Sequence, residues 1–542
     1  MRGLMQDGPL VLSHLFERAE TMFPTKGIVT ATPRGRERVD YRTWARRTRR
    51  LGSALGELGV STDGRVGTFA WNTARHLELY FAAPCTGRVL HTLNIRLATD
   101  QLVYIANHAE DEVVFVDRSL TPLLFSLLDQ MTTVRTVVVM DDDGGEVPTA
   151  PSGVGVLDYE TLIAGQPEAE WTVDDEGLAA AMCYTSGTTG NPKGVVYSHR
   201  SCFLHSMGIM TRDSLGVGEA DRILPVVPMF HANSWGLPHA SVGAGAELIM
   251  PGPDLSPKAI ADLMIDYQVT LCAGVPTIWM GALEHLVGRD ISAIRAIMCG
   301  GSAVPKALSE RYREALGIPI LQGWGMTETN PICSIGRIKS NLEHLSQDEQ
   351  ADYRAAQGLL TVGVTGRIVE PDTVNVLAWD GVASGELQVT GPWIAKSYYN
   401  DPRAAESFTA DGWLRTGDVA VIDPEGYVRL VDRTKDLIKS GGEWISSVDV
   451  ENELMGHPAI AEAAVIGVPH PKWDERPLAC VVVKPGETVT AAEIIDFLRP
   501  KLAKWQLPDD VVFIDEVPKT SVGKFSKKTL RERYADYVLP GS

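Results

Sequence analysis

Apolar residues recur along the chain at helical and strand-like periods. Leu12, Leu15, Phe16, Ala19, Met22 and Phe23 fall at helical spacing with charged residues between them, and Pro24 stops the run. Tyr41, Trp44, Leu51, Leu55 and Leu58 mark one face of a second helix, ended by Gly59. The short apolar runs Val113–Val116 and Val137–Met140 predict buried strands. Ile294–Met298 predicts another, running into Cys299-Gly300-Gly301-Ser302. Pro305 then opens a helix to about Leu316, with Gly317 past its end. Such alternation predicts an α/β fold of parallel sheets covered by helices. Ser340–Gln357 is polar and charged and reads as an exposed excursion. No run reaches the roughly 18 apolar residues of a membrane-crossing helix, and the N-terminus does not read as a signal peptide.

Length and charge narrow the picture. A chain of 542 residues exceeds a single core, so two or more domains are expected. The boundary falls near Asp432. Before it, Gly426–Val431 looks like the end of a strand unit; after it, Arg433–Ser440 is basic and Gly441-Gly442 is flexible. Residues 1–432 and 433–542 are therefore the expected domains. With 50 basic and 69 acidic residues the formal charge is −19, which repels nucleic acid and anionic membrane. Seven scattered cysteines with no C-x-x-C pair argue against a disulfide framework or a zinc site. They favour a reducing, cytoplasmic compartment.

The densest chemical signal is Tyr184–Gly194, YTSGTTGNPKG. Thr185, Ser186, Thr188 and Thr189 supply hydroxyls. Gly187 and Gly190 let backbone N–H groups approach an anion, and Lys193 adds a point charge. The run before it reads as a strand, so the loop sits at a strand end, where α/β folds bind ligands. The spacing differs from the G-x-x-x-x-G-K-[ST] loop of nucleotide triphosphatases.

This stretch resembles the phosphate-loop signature of the acyl-adenylate-forming superfamily, which includes acyl-CoA synthetases, peptide-synthetase adenylation domains and beetle luciferases. Three further segments match in order: QGWGMTET at Gln322–Thr329, Arg415-Thr416-Gly417-Asp418 with YVRLVDRTKDLIKSGGEW at Tyr427–Trp444, and PKTSVGKFSKK at Pro518–Lys528. The resemblance implies a large N-terminal domain with αβαβα layering and a small mobile α+β C-terminal domain. It also implies a site for ATP built from the phosphate loop, Gly301, Ser302, Gly323, Trp324, Gly325, Met326, Thr327, Asp418, Arg433 and Lys435. Trp324 would stack on adenine where the family usually has Tyr, and Asp418 would hold the ribose hydroxyls. Glu328, with a hydroxyl from Thr185 or Thr327, would hold Mg²⁺. Asp432 would be the hinge. Lys439, Gly441, Gly442 and Trp444 would lie by the path of CoA, and Lys524 would reach the substrate carboxylate and α-phosphate.

VPMFHANSWGL at Val227–Leu237 bears on the acid. Amino-acid-activating relatives carry Asp after the Phe; here His231 stands there, so an amino acid is disfavoured. Trp235 lies in a context similar to long-chain fatty acyl-CoA synthetases, where a tryptophan gates the acyl tunnel; the other reading is a core aromatic. Gly243, Gly245, Gly300 and Gly301 leave room for a chain or form turns. The reaction implied is fatty acid, ATP and CoA to acyl-CoA, AMP and pyrophosphate through an acyl-adenylate. A medium- to long-chain acid is favoured. A CoA ligase for another acid, or an acyl-AMP ligase serving a carrier protein, is the alternative, and a homodimer is compatible with either.

Overall fold

The computed structural model describes residues 1–147, 149, 153–185, 191–302, 304–371, 373–441, 443–519 and 525–540. Among these residues the strands form four sheets. In the first, Ala179–Tyr184 lies between Val89–Thr92 and Gly194–Ser198; all neighbours are parallel except the last pair, an antiparallel hairpin. The second has a parallel centre, including Ile320–Gly325, Ala296–Cys299, Leu271–Gly274 and Arg222–Pro225, with antiparallel strands at both edges. The hydrophobic clusters set the layering. One joins Leu12, Phe16, Trp44 and Phe81 on helices to Phe115 on the first sheet and Met298 on the second. Another lies on the outer face of the second sheet, around Trp279, Leu283 and Tyr312. A third lies outside the first sheet, with Leu102, Ile105 and Leu124 over Val114 and Val137. Helices thus fill the space between the sheets and cover both outer faces, giving the expected αβαβα layers.

Most local expectations hold. Helices span Leu12–Met22 and Tyr41–Glu57, the latter capped by Asp40 accepting from Thr43 N. Lys306–Leu316 is a helix with Gly317 left-handed at φ 73° behind it. Residues 340–357 depart from the exposed excursion read from their polarity. Gln347–Ala355 is a helix with a Ser346/Glu349 capping box. Its buried Arg354 pairs with Glu310 at 3.0 Å. The polar residues face water on one side only.

The antiparallel sheet Thr365–Val369, Gly385–Thr390, Leu414–Ile422, Val428–Arg433 follows, and a smaller α+β unit comes after it. That unit holds Ile438–Ser440, Glu443–Ile445, Ile460–His470, Asp474–Val483 and Asp510–Phe513, with its own core around Ile438, Val465 and Leu498. None of the helices among the described residues is long and apolar enough to cross a membrane.

Candidate active site

The C-terminal ends of the parallel strands converge on one region. Ala179–Tyr184 delivers Thr185, whose N–H donates to Lys193 O at 2.9 Å while Lys193 N–H donates back to Thr185 Oγ1 at 3.3 Å. This closes the base of the phosphate loop. Ser186, Gly187, Thr188, Thr189 and Gly190 lie outside the described residues. Lys193 Nζ sits 4.4 Å from the centroid of the Tyr398 ring and 3.4 Å from Ser407 Oγ. Tyr398 OH donates to Glu328 Oε1 at 2.6 Å. Burial and the Glu328 charge push the Tyr398 phenol well above its ordinary pKa, so it stays a donor. Ala395 N–H bonds Glu328 O and Tyr399 N–H bonds Gly194 O, both at 2.8 Å. Residues 395–399 therefore tie the loop base to the Glu328 turn. Tyr398 was missed in the sequence, because nothing in its spacing links it to a motif 70 residues earlier.

A partly open pocket collects residues from both motifs. One wall is Gly323, Trp324, Gly325, Met326 and Thr327; the other is His231, Ala232 and Trp235, with Gly300 and Gly301 between. Gly325 is required by close approach, since a Cβ there would lie 1.8 Å from Pro331 O. Tyr197 OH, also unforeseen, donates to Thr327 O at 2.6 Å and fixes the first wall. Ser302 follows Gly301 but is exposed and outside the lining.

The second wall has unusual backbone. Ala232, Asn233, Ser234 and Trp235 have φ of 41°, 50°, 50° and 57°, and Gly236 follows at 73°. Four consecutive non-glycine residues lie in the left-handed region, which costs about 1–2 kcal/mol for each except Asn233. Fixed contacts hold them. Ser234 Oγ donates to Val227 O at 2.7 Å, and Cys183 Sγ donates to Asn233 Oδ1 at 3.0 Å. Trp235 is 6% exposed, and its ring tip is 3.2 Å from where a Gly300 Cβ would be. The space read into Gly243 and Gly245 is filled. A Cβ on the first would lie 2.8 Å from Leu15, and on the second 2.0 Å from Phe23.

Beyond Trp324, the strand Leu414–Ile422 presents buried Asp418. Trp324 Nε1–H donates to Asp418 Oδ2 at 3.0 Å, so the residue at this position carries a hydrogen bond although it has no hydroxyl. Arg433, across the ladder, brings Nε within 3.5 Å of Asp418 Oδ1. Burial, then Arg433, lowers the pKa of Lys435. Asp432 is buried and accepts from Ser447 N–H at 2.7 Å, joining the antiparallel sheet to the smaller unit. Lys439 and Trp444, both exposed, lie on the hairpin Ile438–Ser440/Glu443–Ile445, with Lys439 Nζ 5.9 Å from the Trp444 ring. Gly441, at φ 63°, donates its N–H to Trp473 O at 2.8 Å. None of the three lines the pocket. Gly442 and Lys524 lie outside the described residues.

The description "AMP-binding enzyme" fits residues 16–399, and "AMP-binding enzyme C-terminal domain" fits residues 449–524. The chain is 44% identical over 99% of both chains to a 3-methylmercaptopropionyl-CoA ligase of Ruegeria lacuscaerulensis. It is 46% identical to a long-chain-fatty-acid–CoA ligase of Thermus thermophilus, over 98% of this chain and 97% of that one. The ATP-bound crystal structure of MatB from Rhodopseudomonas palustris superposes with TM-score 0.82 at 27% identity, covering 97% of this chain and 99% of that chain. On these matches the chain is an acid–thiol ligase and belongs to the AMP-binding enzyme family, within the acyl-adenylate-forming superfamily.

Proposed function

We propose that the protein is an ATP-dependent fatty acyl-CoA synthetase that makes acyl-AMP and then transfers the acyl group to CoA. The observation that carries this is the two-walled pocket, where Gly323–Thr327 faces His231 and Trp235 across Gly300 and Gly301. A carboxylate is a poor acyl donor; attack on the α-phosphate of ATP gives it AMP as a leaving group and releases pyrophosphate. Catalysis is then positioning and charge stabilisation. In this reading Trp324 stacks on adenine, Asp418 accepts from the ribose, and the segment 185–193, with Lys193 as its cation, serves the phosphates. His231 and Trp235 bound the acyl chain. Lys524 brings a cation to the developing phosphate charge.

Magnesium fits the residues present. Among the described residues no group of three or more His, Cys, Asp or Glu gathers to cage a metal. A lone buried Glu328 oriented by Tyr398 suits an ion that takes its other ligands from phosphates and water. Bound there with Thr185, Mg²⁺ would neutralise phosphate charge. We further read residues 1–432 as the adenylating domain and 433–542 as a lid turning at Asp432. The Lys439–Trp444 hairpin would then reach the site only after rotation, in time for the thiol. Seven free, buried cysteines support a reducing, cytoplasmic setting.

A shorter acid is the second reading. Trp235 seated at Gly300 and the filled space at Gly243 and Gly245 favour it, as does the likeness to the Ruegeria ligase. Pyrophosphate release over unbranched acids of increasing length, with 3-(methylthio)propionate included, tests both. A maximum at long chains supports the first reading and one at short chains the second. No release with any acid ends the proposal.

A further inference from the structure

Trp324 does more than supply an aromatic face. One side of its indole lines the pocket, while the ring also packs against the core of the antiparallel sheet around Cys333, Ile368 and Leu387. Its N–H points at Asp418, on a different strand, and donates to Oδ2 at 3.0 Å. Asp418 is 5% exposed. Its own N–H is held by Thr416 Oγ1 at 3.1 Å, and Thr416 Oγ1 donates to Leu387 O at 2.7 Å. Arg433 Nε approaches the other carboxylate oxygen at 3.5 Å.

We infer that Trp324 is a positioning residue for Asp418. The indole N–H fixes the carboxylate that receives the nucleotide's ribose, so base platform and sugar acceptor form one preorganised unit. This rests on the nucleotide reading of the pocket given above. The chemistry is particular to tryptophan. Its donor sits on the side of the ring system, within reach of a neighbouring strand, whereas tyrosine carries its polar atom at the far tip and phenylalanine has none. A carboxylate accepts at both oxygens, and the indole holds one of them, Oδ2, at a fixed angle. A buried carboxylate lacking such donors is costly and free to rotate. The indole bond removes that cost before the nucleotide arrives, which is the usual origin of affinity from preorganisation.

The test compares ATP with 2′-deoxy-ATP and 3′-deoxy-ATP in pyrophosphate exchange. Asp418→Asn comes first. If it leaves KM for ATP and the preference for ATP over both deoxynucleotides unchanged, the nucleotide reading itself fails. With that reading standing, Trp324→Phe keeps a stacking face and loses the donor. KM for ATP should rise about tenfold with kcat little changed, the loss expected for a hydrogen bond to a charged group. The rise should be smaller for the deoxynucleotides, so discrimination narrows. In Asp418→Asn, the added effect of Trp324→Phe should be well below its effect alone. An equal rise for ATP and both deoxynucleotides, or fully additive losses, would make Trp324 a stacking face only and overturn the inference. Should Trp324→Phe not fold, Trp324→Tyr carries the same readout, because it too lacks the side donor.

Discussion

The Gly323–Thr327 wall of the pocket is regular strand and turn held by hydrogen bonds to other segments, whereas the His231–Gly236 wall is a left-handed turn pinned by Ser234 on Val227 and Cys183 on Asn233. On the first, Tyr197 bonds Thr327, Tyr398 bonds Glu328 and Asp418 bonds Trp324. On the second, four consecutive non-glycine residues adopt left-handed φ and press Trp235 towards Gly300. The difference has a physical sense. In the proposed reading the first wall serves phosphate, metal and ribose, which need polar groups at fixed angles, and cross-strand hydrogen bonds fix angles. An acyl chain offers only area, about 25 cal/mol per Å² buried, so its wall needs shape rather than donors. A strained turn supplies a shape that regular structure does not.

The largest effect should come from the polar wall. Glu328→Ala should lower ATP–pyrophosphate exchange by about 10²–10³, the usual cost of one electrostatic contact to a transition state. High magnesium should restore part of it. Exchange near the wild-type rate would take Glu328 out of the chemistry. Next in size is Tyr398→Phe. It removes the donor on Glu328 Oε1, at 2.6 Å, and leaves the ring under Lys193. About a tenfold loss is expected, recoverable at high metal concentration if Tyr398 only orients Glu328. A loss indifferent to metal would place its role elsewhere.

The two walls were not equally legible. QGWGMTET is contiguous, so Trp324, Thr327 and Glu328 arrive together along one strand and the turn after it. Their partners Tyr398 and Asp418 come from later in the chain. Asp418 stood in a motif; Tyr398 did not, and only folding shows that residues 395–399 lie between Gly194 and Glu328. In Ala232-Asn233-Ser234-Trp235, asparagine alone tolerates left-handed φ well, so nothing in composition announces four such residues in a row. The helix at Gln347–Ala355 had a visible signal, Ser346 with Glu349 three residues on, which the high polarity of the segment hid. The Lys439–Trp444 hairpin shows another limit. Motif likeness gives a place in a reaction, and one arrangement of two domains need not put that place at the pocket.

On the proposed acyl wall, Trp235→Ala should alter the order of preference among acids while KM for ATP stays within about threefold, under 1 kcal/mol of binding. Removing the ring enlarges the pocket beside Gly300, and each additional methylene buried there adds about 0.8 kcal/mol, close to a fourfold gain. If every acid keeps its KM and only thermal stability falls, Trp235 is core and the wall is not an acyl wall.

The smallest expected effect is also the most direct test of the strained turn. Ala232 is 3% exposed at φ 41°. In ordinary right-handed or extended backbone, Ala→Gly lowers stability by about 0.5–1 kcal/mol through the entropy of the unfolded chain. The lost methyl adds up to about 0.8 kcal/mol more when buried. In left-handed backbone, removal of Cβ returns about 1–2 kcal/mol to the folded state. The terms nearly cancel, so Ala232→Gly should leave Tm unchanged or slightly raised. Ala240→Gly is the control, since Ala240 is fully buried within the regular helix Leu237–Ala244; it should lower Tm by the full ordinary cost. Equal losses at both positions would mean that the turn holds no strain, and the acyl wall would then need another source of shape. If instead Ala232→Gly is neutral and also weakens longer acids by up to about fivefold, near 1 kcal/mol, strain is released when Trp235 yields. Glycine then makes the closed turn cheaper to keep and the open one relatively harder to reach.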